Sequence, residues 1–315
     1  MLYAAPKAFF YLLSRSRHVK RLATRYGLSA KDGFARRFIA GETIEEAVAA
    51  ARAVQARGLH LTLDHLGESV RTSEAATAAT REYLRLIDVI VAGGIERNLS
   101  IKLTQLGLDV DRATCVDNMR RILDPAGRHG FFVRLDMESS AYTDVTLEVF
   151  ETLWQLEHRN VGLALQASLH RTENDVRRLN ALGASVRLVK GAYREPASIA
   201  HVRRAGVDEA FRRLARLLLD EGTLPAIATH DEALIDATRA YASAAGLPRD
   251  RFEFEMLYGI RRDLQASLTG EGYRMRVYVP FGREWFPYVM RRLGERPANL
   301  RFVIQSLLAD RGGWR

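Results

Sequence analysis

Tyr288, Arg291, Arg292 and Glu295 fall at i, i+3, i+4 and i+7 in segment 283–295, so a helix there would carry them on one stripe. Two guanidiniums beside a tyrosine can grip a small carboxylate, because the planar fork of arginine meets a carboxylate with two parallel hydrogen bonds. Read blandly, the same stripe is an exposed face laced with Arg–Glu pairs. Lys102 and Lys190 offer a different chemistry. A lysine on a buried strand can form a Schiff base with a carbonyl substrate, the aldolase solution, or can anchor a phosphate or pair with a carboxylate. Further polar side chains close a series of apolar runs: Asp64, His65 and Glu68; Thr104 and Gln105; Arg134, Asp136 and Glu138; Gln166; Arg187 and Tyr193; Thr229, His230 and Asp231; Glu255; and Tyr278.

The elements that must position these groups repeat along the chain. Apolar or alternating runs at 59–66, 99–104, 131–137, 161–167, 185–191, 224–230, 252–258 and 275–280 read as strands. Amphipathic stretches such as 75–92 and 208–220 lie between them and read as helices. Strand–helix alternation implies parallel strands with crossover helices, and eight such units in about 250 residues match a TIM-type (β/α)8 barrel. In that architecture the site lies at the C-terminal ends of the strands, where the polar residues collect. An open doubly wound sheet is the alternative, but no Gly-x-Gly-x-x-Gly follows any strand. Residues 1–55 read as a helical segment packed on the barrel, 56–310 as the barrel itself, and the last helix as a cover over its C-terminal mouth. Strand parity adds a constraint: if the fifth strand is regular, Arg187 and Lys190 cannot both face the barrel axis.

Composition narrows the functional classes. The 315 residues are 47% hydrophobic and 27% charged, as expected of a globular protein with a sizeable core. One cysteine, Cys115, excludes an internal disulfide and a thiolate metal cluster and fits a reducing cytoplasm. The eight histidines show no zinc-binding spacing. A net charge of +9 points to an anionic partner or to a solvated basic surface. Basic residues are spread rather than clustered with aromatic platforms, which argues against nucleic acid. No apolar run reaches the ~18 residues of a membrane span. The short apolar segment 9–13, followed by Arg15, Arg17, Lys20 and Arg21, reads as a surface helix and a candidate for membrane contact.

The motifs Ile101-Lys-Leu-Thr-Gln105, Arg134-Leu-Asp-Met-Glu138, Arg187-Leu-Val-Lys-Gly-Ala-Tyr193, Ala228-Thr-His-Asp231, Phe252-Glu-Phe-Glu-Met-Leu-Tyr-Gly259, and Tyr278-Val-Pro-Phe-Gly282 with Tyr288-x-x-Arg-Arg292 resemble the proline dehydrogenase family in sequence and order. That family includes the dehydrogenase part of bifunctional bacterial proline-utilisation flavoenzymes. The resemblance spans 36–308, and without an aldehyde dehydrogenase portion the chain is similar to the monofunctional bacterial type. It implies FAD-dependent oxidation of L-proline to Δ1-pyrroline-5-carboxylate, the first step of proline catabolism to glutamate, with electrons passed to a membrane quinone. It also implies a cytoplasmic enzyme, peripheral on the inner face of the membrane, whose product goes to pyrroline-5-carboxylate dehydrogenase.

By that resemblance Arg187 lies beside flavin N5, Gln166 meets the isoalloxazine edge, and Lys190, Gly191, Ala192, Thr229 and His230 help to hold FAD. Lys102, Arg291 and Arg292 bind the proline carboxylate. Tyr193, Leu257, Tyr278 and Tyr288 wall the ring, Asp136 positions its neighbours, and Glu68 gates with Arg291. A proline zwitterion does need cations for its carboxylate and an apolar, aromatic wall for its methylenes. Two residues depart from the family pattern: Glu255, where relatives often carry glutamine, and Asp231, where some carry asparagine. The competing reading on the same barrel is a Schiff-base aldolase using Lys102 or Lys190.

Overall fold

The computed structural model describes residues 34–295. The apolar segment 9–13 and the end of the predicted barrel region, 296–310, lie outside the described residues. Eight parallel strands close into a barrel in sequence order: β1 (His60–His65), β2 (Asn98–Ile101), β3 (Phe132–Leu135), β4 (Val161–Gln166), β5 (Val186–Val189), β6 (Ala226–Ala228), β7 (Glu253–Leu257) and β8 (Arg274–Phe281). Each apolar run of the sequence overlaps one of them, β2 starting one residue before its run and β8 extending one residue beyond its run at each end. The helices between them are α2 (Ser73–Gly93), α3 (Arg112–Arg128), α4 (Thr143–Gln155), α5 (Thr172–Ala181), α6 (Arg204–Glu221), α7 (Glu232–Ala244) and α8 (Arg262–Gly270).

Several strands stop earlier than their apolar runs. β2 ends at Ile101, and Leu103–Leu106 forms a 3-10 turn closed by Gly107 in the left-handed region at φ 97°. Lys102, Thr104 and Gln105 therefore sit on a turn, not on the strand. β5 and β6 likewise end before Lys190 and before Thr229. Apolar character alone did not mark these boundaries, because the run after β2 stays buried through Leu103–Leu106 and the one after β6 through Thr229, in the loops at the barrel mouth.

Helix α1 (Ile44–Gln55) opens with a capping box: Thr43 accepts from the Glu46 backbone, and the Glu46 carboxylate accepts from the Thr43 and Glu42 N–H groups. Its apolar face packs on β1 and β8. This is the flank that the eighth helix of a regular barrel would cover. The last helix, α9 (Trp285–Glu295), is thereby displaced to the mouth. There Trp285, Phe286, Tyr288, Val289 and Met290 join an apolar cluster with Ala35, Phe38, Ile39, Leu66 and Ile260. Burial of such side chains contributes about 1.5–3 kcal/mol each. Trp285 also donates to Glu42 at 2.9 Å, which ties α9 to the segment entering α1.

Alternation along the strands separates two environments. Leu61, Leu63, Leu99, Ile101, Val133, Leu135, Leu163, Leu165 and Leu188 belong to the core between barrel and helices. The other parity holds Asp64, Ser100, Arg134, Arg187, Glu253, Glu255 and Arg276, all buried. Barrel interiors are usually filled by branched apolar layers. Here the filling is ionic, and buried charges cost several kcal/mol each unless paired. Room for it is made locally: a side chain at Gly162 would meet the Arg134 guanidinium at 2.9 Å and the Ser185 carbonyl at 2.5 Å.

Candidate active site

Asp136, one residue beyond β3, is the hub of the mouth. Its Oδ1 accepts from Arg187 Nη1 at 2.7 Å and from Ser100 Oγ at 3.2 Å. Its Oδ2 accepts from the Tyr278 hydroxyl at 2.6 Å and from Lys102 Nζ at 3.3 Å. Lys102 bridges onward to Asp64 at 3.2 Å and to the Tyr278 hydroxyl at 3.5 Å. The Arg187 guanidinium lies over the Tyr278 ring at 5.4 Å and reaches Glu255 at 2.5 Å. Five strands, the end of β3 and the turn after β2 converge on this group, which no sequence segment assembles locally.

The pairing fixes protonation states. Burial works against the Lys102 ammonium, but Asp64 and Asp136 outweigh it and raise its pKa above that of an ordinary lysine. Burial also opposes the Asp136 carboxylate, yet Lys102 and Arg187 hold its pKa below the usual range. Asp64 goes the other way, pushed up by burial against the pull of Lys102. The pKa of Arg187 is raised, against the effect of burial, by the carboxyl groups of Glu255 and Asp136 beside it.

At the rim, Arg291 on α9 pairs with Glu68 at 2.9 Å, closing the loop after β1 onto the last helix. Arg292 lies over the Tyr288 ring at 5.3 Å. Tyr288 is buried, so the stripe is not the exposed face of the bland reading; at Glu295 only the backbone is described. Tyr193 is 38% exposed on the loop after β5, and its hydroxyl is pushed up to about 12 by burial and then by Glu138 and Glu68, with Arg291 and Lys102 opposing. Leu257, at the end of β7, packs against the α9 cluster.

The residues assigned to a cofactor gather on the β4–β5 side. Arg187 Nη2, Gln166 Oε1 and Ser168 Oγ are buried without a hydrogen-bond partner. Gly191, at φ +106°, keeps this corner open: a Cβ there would lie 2.2 Å from Ser168 Oγ and 3.1 Å from Gln166 Oε1. Buried polar atoms are rarely left unsatisfied, so the Gln166 carbonyl and Ser168 hydroxyl at this corner, with the Arg187 N–H on the adjacent strand, fit a polar planar group such as a flavin edge. Gln166 is fixed by donating to the Glu138 carbonyl at 2.6 Å. Thr229 caps the Asp231 N–H at 3.1 Å, and His230 accepts from the Leu257 N–H at 2.9 Å. Ala192 lies between Gly191 and Tyr193 on the same loop.

Lys190, one residue beyond the end of β5, points away from Arg187. It pairs with Asp208 at 2.6 Å and Asp231 at 2.8 Å. Asp231 also takes Arg204 at 2.9 Å, so this departure from the family pattern serves an ion network at the loop edge. His65 packs between Tyr83 and Phe281, with ring centroids at 5.8 and 5.2 Å, and burial lowers its pKa. It is a packing residue.

With this geometry in view, the relatives of the chain are informative. The proline dehydrogenase family matches residues 47–305. Proline dehydrogenase 2 of Bacillus subtilis is 39% identical over 299 residues, 95% of this chain and 97% of that protein. A proline dehydrogenase of Deinococcus radiodurans is 43% identical over 278 residues, 87% of this chain and 90% of that protein. Among solved structures, proline utilization A (PutA) from Bdellovibrio bacteriovorus, inactivated by N-propargylglycine, superposes with a TM-score of 0.77 at 27% identity; the match covers 83% of this chain and 32% of that one. The chain belongs to the proline dehydrogenase family and is an oxidoreductase on a (β/α)8 barrel.

Residue-by-residue reading of the sequence gave no site role to Asp64, Ser100, Ser168 or Glu138, and left Glu255 as a bare departure. Parity could have found two of them. Ser100 lies two residues before Lys102, and Asp64 falls on the inward parity of β1. Ser168 and Glu138 had no such signal, because they lie beyond the strands.

Proposed function

We propose that this protein oxidises L-proline to Δ1-pyrroline-5-carboxylate with FAD as cofactor and passes the electrons to a membrane quinone, opening the catabolism of proline to glutamate. The observation that carries this reading is the Arg187–Asp136–Lys102–Tyr278 cluster, with buried, unsatisfied polar atoms on Arg187, Gln166 and Ser168, in a chain of this family. Oxidation removes a hydride from C5 of the ring and a proton from nitrogen, leaving a C=N bond. FAD, when bound, supplies the acceptor for that hydride.

The protein's own groups supply position and charge. Gln166, Arg187, Lys190, Gly191, Ala192, Thr229 and His230 would hold the cofactor. Arg187, locked by Asp136 and Glu255, offers a fixed cation where negative charge develops, without reorganisation during the reaction. Lys102, Arg291 and Arg292 bind the substrate carboxylate, and Tyr193, Leu257, Tyr278 and Tyr288 wall the ring. Glu68 draws Arg291 across the mouth and excludes water. Among the described residues no helix is long and apolar enough to cross a membrane. The quinone would be met by peripheral contact at the inner face of the cytoplasmic membrane. Pyrroline-5-carboxylate dehydrogenase is the consumer of the product.

The aldolase alternative needs a lysine whose amine is neutral. Lys102 is instead held charged between two carboxylates, and Lys190 is spanned by Asp208 and Asp231. The absorption spectrum of the purified protein separates the two. Flavin bands bleached by L-proline are expected; a colourless protein with a borohydride-trapped lysine adduct would overturn the proposal.

A further inference from the structure

Glu253 and Glu255 sit two residues apart on β7 and share the inward parity, and both are 3% exposed. Their partners differ. Arg276 takes Glu253 with two bonds, at 2.9 and 3.0 Å. Glu255 has Oε2 2.5 Å from Arg187 Nε, but Nε has no hydrogen-bond partner, so the contact is close without being aligned. Its Oε1 also has no partner and stands 3.9 Å from Arg276 Nε.

The charges around it decide its state. The charged groups around it are Arg187 on β5, Arg134 on β3, Arg276 on β8 and Glu253 on its own strand, with Asp136 and Tyr278 reached through Arg187. The neighbouring strand β6 carries no charge. Arg276 is shared with Glu96 at 2.9 Å, and Lys102 balances Asp64. Lys102 takes Asp64 and Asp136, Arg276 takes Glu253 and Glu96, and Arg187 takes Asp136, while Arg134 donates to Ser185; with Glu255, five carboxyls stand among these four cations. An ionised fifth carboxylate, buried with no aligned donor, is costly.

We propose that Glu255 holds a proton inside the barrel at neutral pH and acts as a positioning residue. It buttresses Arg187 without neutralising it, so the guanidinium keeps its charge for the reacting centre; this last step rests on the flavin reading above. Arg276 first, with Arg134 and Glu255 adding to it, holds Glu253 at about 2 against the effect of burial. Burial pushes Glu255 itself upward, with Arg187 pulling down and Glu253 pushing up.

Glu255→Gln preserves the shape and fixes the neutral form, so it isolates the proton. An acid whose folded pKa is raised gives stability that is complete below its unfolded value, 4.5, and is lost as pH rises through the folded value. Between those two limits the folding equilibrium constant of the wild type should fall relative to Glu255→Gln by up to about tenfold per pH unit, levelling off only above pH ~7. Denaturant titrations from pH 4.5 to 9 measure this without any turnover. A protonated-carboxyl infrared band present at pH 7 in the wild type and missing in Glu255→Gln should accompany it. In flavin-loaded protein, the wild-type midpoint potential should drop below that of the variant over the pH range in which Glu255 ionises. Parallel stability curves with no lost infrared band would overturn the proposal. A stability and infrared signature with equal potentials would overturn the buttress role and keep the proton. The same signature in a protein that binds no flavin would instead count against the flavin reading.

Discussion

Lys102 and Asp64 form an ion pair at 3.2 Å inside the barrel, with Asp64 1% exposed. The pair joins the turn after β2 to the strand beside it and presents the ammonium to Asp136 as well. Removing the cation leaves two carboxylates buried together. Lys102→Met should therefore destabilise the fold by about 3–5 kcal/mol at pH 7. The loss should shrink near pH 4, because Asp64, already pushed up by burial, then takes a proton. Denaturant midpoints at the two pH values test this; an equal loss at both would mean that packing, not charge, sets the cost.

The gate loop hangs on one threonine. Thr104 accepts the Ser69 N–H on its hydroxyl at 3.0 Å and the Val70 N–H on its carbonyl at 3.0 Å. In turn it donates to the Glu138 carboxylate, from its hydroxyl at 2.8 Å and its N–H at 3.2 Å. Thr104→Val deletes both hydroxyl bonds while keeping the shape. It should raise the KM for proline several-fold with a smaller change in kcat, and Thr104→Ser should restore it. Equal changes in kcat and KM, or no rescue by serine, would place Thr104 outside gate control.

The arginine stripe makes a claim about charge that a substrate lacking the carboxylate can check. Losing one charge-assisted bond in a desolvated pocket costs about 2–5 kcal/mol, roughly 30-fold to several-thousand-fold in binding. Arg291→Met and Arg292→Met should hurt oxidation of proline by that order and leave pyrrolidine far less affected. Glu68→Ala should keep carboxylate binding while loosening closure. Equal damage to both substrates in both arginine variants would reduce the stripe to a structural element.

Acid stability should depend on Glu253. Burial opposes its ionisation, but Arg276 holds it at about 2, below its ordinary 4.5. An acid lowered on folding stabilises above its unfolded pKa, and that contribution drains away as pH falls through the folded one, here between about 4.5 and about 2. Glu253→Gln should lower the melting temperature at neutral pH and flatten its decline across that window. A decline as steep as in the wild type would assign the acid sensitivity to other groups.

Taken residue by residue, the sequence determined the architecture and the inventory. Eight apolar runs alternating with amphipathic helices specify a parallel barrel, because period-2 and period-3.6 patterns bury different faces and crossover helices force parallel pairing. The same alternation separated Arg187 from Lys190, and the i, i+3, i+4 spacing placed Tyr288, Arg291 and Arg292 together. What only the tertiary structure decided is who pairs with whom. Asp136 collects Arg187, Lys102 and Tyr278 from three other parts of the chain, 51, 34 and 142 positions away. Barrel closure brings them together, and no local pattern encodes that distance. The strand ends at Ile101 and Val189, the placing of α1 on the flank and α9 over the mouth, and the surplus carboxyl at Glu255 belong to the same class. Each depends on a balance of buried charge and volume that exists only once all eight strands are closed.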